Sequence, residues 1–200
     1  MRPTAILFFV GAVLGTALDH LHVASGTTSY AQPFLWQQAA WVPLLFGLAA
    51  AGFADLHARL RGLFRAPPRS SPALALVDFL VFVAAYWASA YLPWSNEALL
   101  ALFAGAFLLR IAVLRDPPHR VAHGLLCALL GVTTEWALTR IGVFTHHRAD
   151  LLRVPFWLPG LYLLASPVLA DLDELLSFQI VADTNKAPEA VVSPAKGGTS

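Results

Sequence analysis

Long apolar runs, separated by short polar or proline-containing stretches, dominate the chain. A membrane-spanning helix needs roughly 20 mainly apolar residues. Six stretches come close to that length or reach it: 4–23, 34–56, 72–92, 96–114, 121–144 and 156–180. A basic, proline-containing segment at 59–71 follows the second. Pro93-Trp94 closes the third, and Asp116-Pro117-Pro118 ends the fourth. A polar stretch at 145–153 precedes the sixth, and the Ala-, Pro-, Gly- and Ser-rich tail at 181–200 is expected to be disordered. The pattern predicts an all-α polytopic membrane protein, a six-transmembrane-helix bundle over residues 1–180, with no recognisable internal repeat.

Composition agrees. Charged residues are 12% of the 200, hydrophobic ones 58%, and the mean hydropathy is +0.64. A soluble domain carries about 25% charged residues, so most of this surface must face something other than water. A net charge of +1 gives no sign of a nucleic-acid partner. The single cysteine, Cys127, rules out an intrachain disulfide. The first run has the outline of a signal peptide, with Arg2 before it and Ala24-Ser25-Gly26 after it. Asp19, His20 and His22 occupy its would-be cleavage region, however, so a retained helix is expected.

Arginines orient the bundle. With a cytoplasmic N-terminus, the inner loops carry Arg59, Arg61, Arg65 and Arg69, then Arg115 and Arg120. Outer loops carry only Arg148 and Arg153, which satisfies the positive-inside rule and places both termini in the cytoplasm. Trp36, Trp41, Trp94, Phe156 and Trp157 cluster near the outer boundary, as interfacial anchors do.

Ionisable residues inside spans ask for an explanation. Asp19 and His22 share a face at the outer end of the first helix, with His20 between them. Interfacial residues in contact with water explain them simply; a metal site, completed by His146-His147, is the alternative. Glu135, in the middle of the fifth span, reads either as interhelical glue, partnered by Arg110 or by hydroxyls on another helix, or as a ligand contact. Asp78 and Asp55 lie near inner ends, and Asp55 can pair with Arg59 at i, i+4. His123 and Cys127 share a face, but two ligands do not make a metal site. Pro43, Pro159 and Pro167 fall within spans, where each would bend a helix and free carbonyls beside a lipid-sized gap. No phosphate-binding loop, zinc-protease motif or nucleophile elbow appears, and no cofactor or metal is assigned.

Several segments closely resemble the insulin-induced gene (INSIG) family of sterol-responsive membrane proteins. Leu7-Phe8-Phe9-Val10-Gly11 is similar to its opening motif, and Trp41-Val42-Pro43 with Gly47 and Ala49-Ala50-Ala51 to its second-helix run. Val81-Phe82-Val83, Ala88-Ser89-Ala90 and Leu92 match the third helix, Gly142-Val143-Phe144 the fifth, and Trp157-Leu158-Pro159 opens the sixth. The resemblance runs in order from residue 6 to about 175. In animals the family resides in the endoplasmic reticulum, binds oxysterols, retains a sterol-sensing escort protein and promotes degradation of a sterol-synthesis enzyme.

Carried over, the resemblance makes Phe82 a sterol contact and Asp116 a partner-binding residue. Here Asp116 precedes Pro117-Pro118 instead of the family's Arg-Ser, so it also reads as a turn initiator. Leu99 stands where the family often has glutamine and Ala112 where it has tryptophan, which implies a different or more apolar lipid. The Ala-, Leu- and Arg-heavy composition points to a bacterial member, in an inner membrane, without the eukaryotic escort.

The expectation is a non-catalytic regulator that binds a sterol-like or diacylglycerol-like membrane lipid among its central helices. Phe82, Pro43 and Glu135 are expected to line the pocket, and Asp116 to face a membrane-protein partner unless the bundle only self-associates. One alternative is an enzyme of lipid or isoprenoid metabolism using Glu135 with Asp78 or Asp19. A small transporter is another, disfavoured by the absence of matched halves.

Overall fold

The computed structural model describes residues 3–114 and 117–186, with the side chains of 181–186 excepted. Asp116 and residues 187–200 of the expected tail lie outside the described residues. The elements are α1 (Pro3–Ala24), β1 (Thr28–Tyr30), α2 (Val42–Leu63), α3 (Pro72–Tyr91), α4 (Asn96–Leu114), α5 (Pro118–Arg140), β2 (Phe144–His146) and α6 (Leu158–Lys186).

The six helices follow the six apolar runs, and the bundle is all-α apart from one short ribbon. α1, α3, α4 and α5 are long and apolar enough to cross a membrane on length and composition alone. Phe9, Val13, Leu109 and Leu129 are exposed on them, an arrangement suited to lipid and not to water. α6 is the hub and packs on all five other helices. Its Leu158, Leu161 and Leu164 join Ala85, Tyr86 and Ala88 of α3 and Leu99, Phe103 and Phe107 of α4 in one buried cluster.

Helix ends depart from the apolar runs where the backbone turns left-handed. The second run begins at residue 34, yet Trp36 and Gln37 have φ of 53° and 60°, and the helix starts only at Val42. The fifth was expected to continue to 144, but Gly142 at φ 75° stops it and the chain enters β2. These boundaries correct the reading of two prolines. Pro43 and Pro159 sit in the first turns of α2 and α6, where a missing N–H leaves no ladder bond unmade. Pro167 does lie inside its helix.

β1 and β2 pair antiparallel, with Thr28 opposite His146, Ser29 opposite Thr145 and Tyr30 opposite Phe144. This ribbon ties the α1–α2 connection to the α5–α6 connection and reveals a repeat that the sequence reading had not recognised. Gly26 and Gly142 have the same φ of 75°; Trp36 and Gln37 have left-handed counterparts in Leu152 and Arg153. Isolated bridges close Leu35 on Gln38 and Leu151 on Val154. Each second member lies 116 positions after the first, as 26 to 142 and 35 to 151 show. The same spacing relates Trp41 to Trp157, Pro43 to Pro159 and Asp19 to Glu135. α1–β1–α2 and α5–β2–α6 are therefore two copies of one unit, with α3 and α4 inserted between them.

At the end of the bundle away from the ribbon, buried charges are paired, as a low-dielectric interior demands. Arg110 Nη2 lies 2.8 Å from Asp78 Oδ2, and Arg120 Nη1 lies 2.6 Å from Asp171 Oδ1. The Ser70 hydroxyl donates to Asp171 at 2.7 Å, tying the α2–α3 loop to α6.

Candidate functional site

Two adjoining chambers open between the repeated halves. The first, about 110 Å³, is walled by apolar residues of α1, α2, α3 and α6, among them Leu14, Leu18, Phe46, Phe82 and Leu169. The second, about 80 Å³, lies toward the ribbon and is lined by Asp19, His22, Thr28, Tyr30, Glu135 and His146. Phe46, Ala49, Phe53, Tyr86, Leu161 and Tyr162 belong to both walls, so the apolar and polar chambers lie back to back.

The polar chamber is built from the two copies of the repeated unit. In the first, Asp19 Oδ2 accepts the Tyr30 hydroxyl and the Gln38 side-chain amide, each at 2.7 Å. In the second, His146 Nε2 donates to Glu135 Oε2 at 2.8 Å, and the Tyr162 hydroxyl donates to Oε1 at 2.7 Å. Tyr30 and His146 occupy the same place in their strands, eleven residues after the carboxylate that each one meets. With Nε2 donating, His146 Nδ1 accepts from the Thr28 hydroxyl at 3.1 Å, which joins the copies across the ribbon. Burial, and then the neighbouring Asp19 carboxylate, push the Tyr30 phenol up, so it stays a protonated donor.

His22 is held differently. Its Nε2 lies 2.9 Å from Ser89 Oγ of α3, and its ring stacks on Tyr86 with centroids 5.0 Å apart. His20 Nδ1 meets the carbonyl of Trp36 at 3.2 Å. Asp19, His20 and His22 thus point to three different partners instead of converging as metal ligands.

Phe82, expected from the resemblance, lines the apolar chamber, with its ring edge-on to Tyr86 at 5.1 Å. Glu135 lines the polar one. It belongs to the ribbon end of α5 and not to mid-span, because α5 stops at Arg140. Of its two expected partners it takes a hydroxyl on another helix, Tyr162 of α6, together with His146, and not Arg110, which is engaged by Asp78. Pro43 is in neither wall. Tyr30, Gln38, Tyr86 and Tyr162 escaped the sequence reading. The one signal that could have found some of them is the 116-residue spacing, since Tyr30 matches His146 and Phe46 matches Tyr162.

No protein-family model matches the sequence. An INSIG protein homolog of Mycolicibacterium vanbaalenii (strain PYR-1) is 35% identical over 183 residues, covering 88% of this chain and 87% of the relative. The crystal structure of MvINS, a mycobacterial Insig homolog from Mycobacterium vanbaalenii, superposes with a TM-score of 0.74 at 32% identity, covering 86% of this chain and 92% of that one. A cross-linked trimer of MvINS superposes with a TM-score of 0.76 at 32% identity, covering 88% and 94%. With that identity over nearly the whole of both chains, and the same bundle beneath it, this chain belongs to the INSIG family.

Proposed function

We propose that the protein binds one amphipathic membrane lipid, sterol-like or diacylglycerol-like, with a small hydroxylated head. The observation that carries this is an apolar chamber lying directly against a chamber of hydrogen-bonding groups, with six residues shared between their walls. Hydrocarbon lies against Phe82, Phe46 and Leu169, and a hydroxyl exchanges hydrogen bonds with the Asp19–Tyr30 and Glu135–His146 pairs. A zwitterionic headgroup is disfavoured, because the carboxylates already have donors and the chamber is small. The bundle acts without catalysis, as a regulator of lipid homeostasis in a bacterial inner membrane, with both termini cytoplasmic. It self-associates, in keeping with the trimer of its structural relative.

Mass spectrometry of lipid co-purified in mild detergent tests the binding. One hydroxylated lipid per chain is expected, with competition by an oxysterol separating a sterol-like ligand from diacylglycerol. Phe82→Ala removes an apolar wall worth roughly 1.5–3 kcal/mol, so affinity should fall at least about tenfold. Retention of bulk phospholipid alone would sink the reading.

The presence of Asp19 and Glu135 in one chamber favours a second reading, acid–base chemistry on a bound lipid. Glu135→Gln would then abolish lipid turnover while leaving lipid retention intact. Asp78, the other carboxylate considered for this role, is held by Arg110 near the opposite end.

A further inference from the structure

Three buried side chains from three helices aim ligand atoms at one point near the ion-paired end. His57 of α2, His119 of the first turn of α5 and Glu174 of α6 are 0%, 1% and 2% exposed. One ligand atom from each lies within 4.8 Å of the other two, and His57 Nε2 is 3.5 Å from Glu174 Oε1. Donors sharing a tetrahedral zinc ion at about 2.0–2.2 Å sit a little over 3 Å from one another. The trio is close to that spacing.

Buried polar atoms nearly always have a hydrogen-bond partner. His57 Nε2 and both ring nitrogens of His119 have none. Glu174 Oε1 makes no hydrogen bond of good geometry either, although Arg120 Nη2 lies 2.9 Å away. Orphaned ring nitrogens from two histidines beside a buried carboxylate oxygen are what a shared cation would satisfy.

The surroundings hold the three donors in place. Asp173 Oδ2 is 3.2 Å from His57 Nδ1, so the carboxylate orients the ring and leaves Nε2 facing the trio. Glu174 Oε2 accepts from the backbone N–H groups of Arg69 and Ser70, at 2.6 and 2.9 Å, and lies 2.8 Å from the Ser70 hydroxyl oxygen. That grip presents Oε1. Charge points the same way: the buried carboxylates Asp78, Asp171 and Glu174 meet the guanidiniums of Arg110 and Arg120, and a fourth, Asp173, meets His57. His123 is a neighbour of the trio and not a member, since its Nε2 meets the Phe53 carbonyl at 2.9 Å.

We propose that His57, His119 and Glu174 bind a divalent transition-metal ion of the zinc type. Two imidazoles and one carboxylate suit such a metal, whereas calcium and magnesium take oxygen ligands. Three protein ligands leave a fourth position for water or an exogenous ligand, the arrangement of reactive zinc sites. The ion would also clamp α2, α5 and α6 together. The site is separate from the lipid chambers, neither of which includes these residues.

The test uses the full chain in mild detergent, stripped with a chelator and titrated with Co²⁺ and then Zn²⁺. One equivalent of Co²⁺ per chain is expected, with the visible ligand-field absorption of a four-coordinate ion, lost when Zn²⁺ displaces it. His57→Ala and His119→Ala should each abolish the band and the bound zinc, while His147→Ala and Cys127→Ala keep both. His119→Ala is the decisive variant, because its ring makes no hydrogen bond that folding would lose. Helical circular dichroism and a monodisperse elution profile check that it folds. No band and no retained zinc in the wild-type protein would overturn the proposal, as would a band that survives His119→Ala.

Discussion

Asp78 and Asp55 each meet an arginine, and their surroundings separate them. Asp78 is buried and held by both the Nε and Nη2 atoms of Arg110, at 2.9 and 2.8 Å. Asp55 pairs with Arg59 on an exposed helix face at 2.6 Å. Removing one partner of a buried pair strands the other charge and costs roughly 3–5 kcal/mol. Asp78→Ala is therefore expected to lose about that much in equilibrium denaturation in mixed micelles, while Asp55→Ala stays within error. The Asp55–Arg59 pairing was legible in its i, i+4 spacing. That Arg110 chooses Asp78 over Glu135 was not, because the choice depends on which residues share a height in the bundle. The Asp19–Tyr30 pair makes a similar point. Tyr30→Phe removes one of two donors to a buried carboxylate, and a loss of about 1–3 kcal/mol is expected in the same assay.

Helices approach closely where glycine lets them. A Cβ on Gly131 of α5 would lie 2.4 Å from the Tyr162 ring of α6, and one on Gly15 of α1 would lie 2.6 Å from the Phe46 ring of α2. These are the same contact in the two copies, since 15 and 131, and 46 and 162, are each 116 apart. Gly105 of α4 has open space around it. Gly131→Leu is expected to destabilise by about 1–3 kcal/mol through overpacking and to displace the Tyr162 hydroxyl from Glu135, weakening lipid retention. Gly105→Leu should be neutral or slightly stabilising, because a good helix former replaces glycine on an open face. Melting curves and lipid content of the two variants check this. Abundant small residues announced close packing in the sequence; which glycines faced a neighbour was a matter of helix rotation, on which composition is silent.

The two copies of the helix–strand–helix unit are joined at the ribbon and separated by α3 and α4. α6, the second helix of its copy, became the hub, whereas α1 and α2 pack mainly on each other. Divergence from that common plan explains why the repeat was hard to see. Corresponding helical positions face different neighbours and have changed, as Leu7 against His123 and His57 against Asp173 illustrate. What persisted is the backbone-dictated set: the glycines at 26 and 142, and the Trp-x-Pro at both helix starts. For the assembled protein, two outcomes are expected. Tags on both termini should be accessible from the cytoplasmic side only, as the arginine bias predicts, and cross-linking in membranes should give bands at multiples of the 21.6 kDa chain mass, as the proposed self-association predicts.

Helix number, helix order and membrane residence were legible in the residues alone, because long apolar runs have one low-energy solution in lipid. Phe82 was reached through family resemblance, and Glu135 through the expense of placing a carboxylate in a span. The pairing of Asp19 with Tyr30, of Glu135 with His146 and Tyr162, and of His57 with His119 and Glu174 was not legible. These partners lie up to 117 positions apart, as His57 and Glu174 do, and meet only when β1 finds β2 and α6 settles among its neighbours. Hydropathy is a property of each segment and survives in isolation. Hydrogen-bond and ligand geometry belongs to the spaces between segments, and those spaces come into being only with the packed bundle.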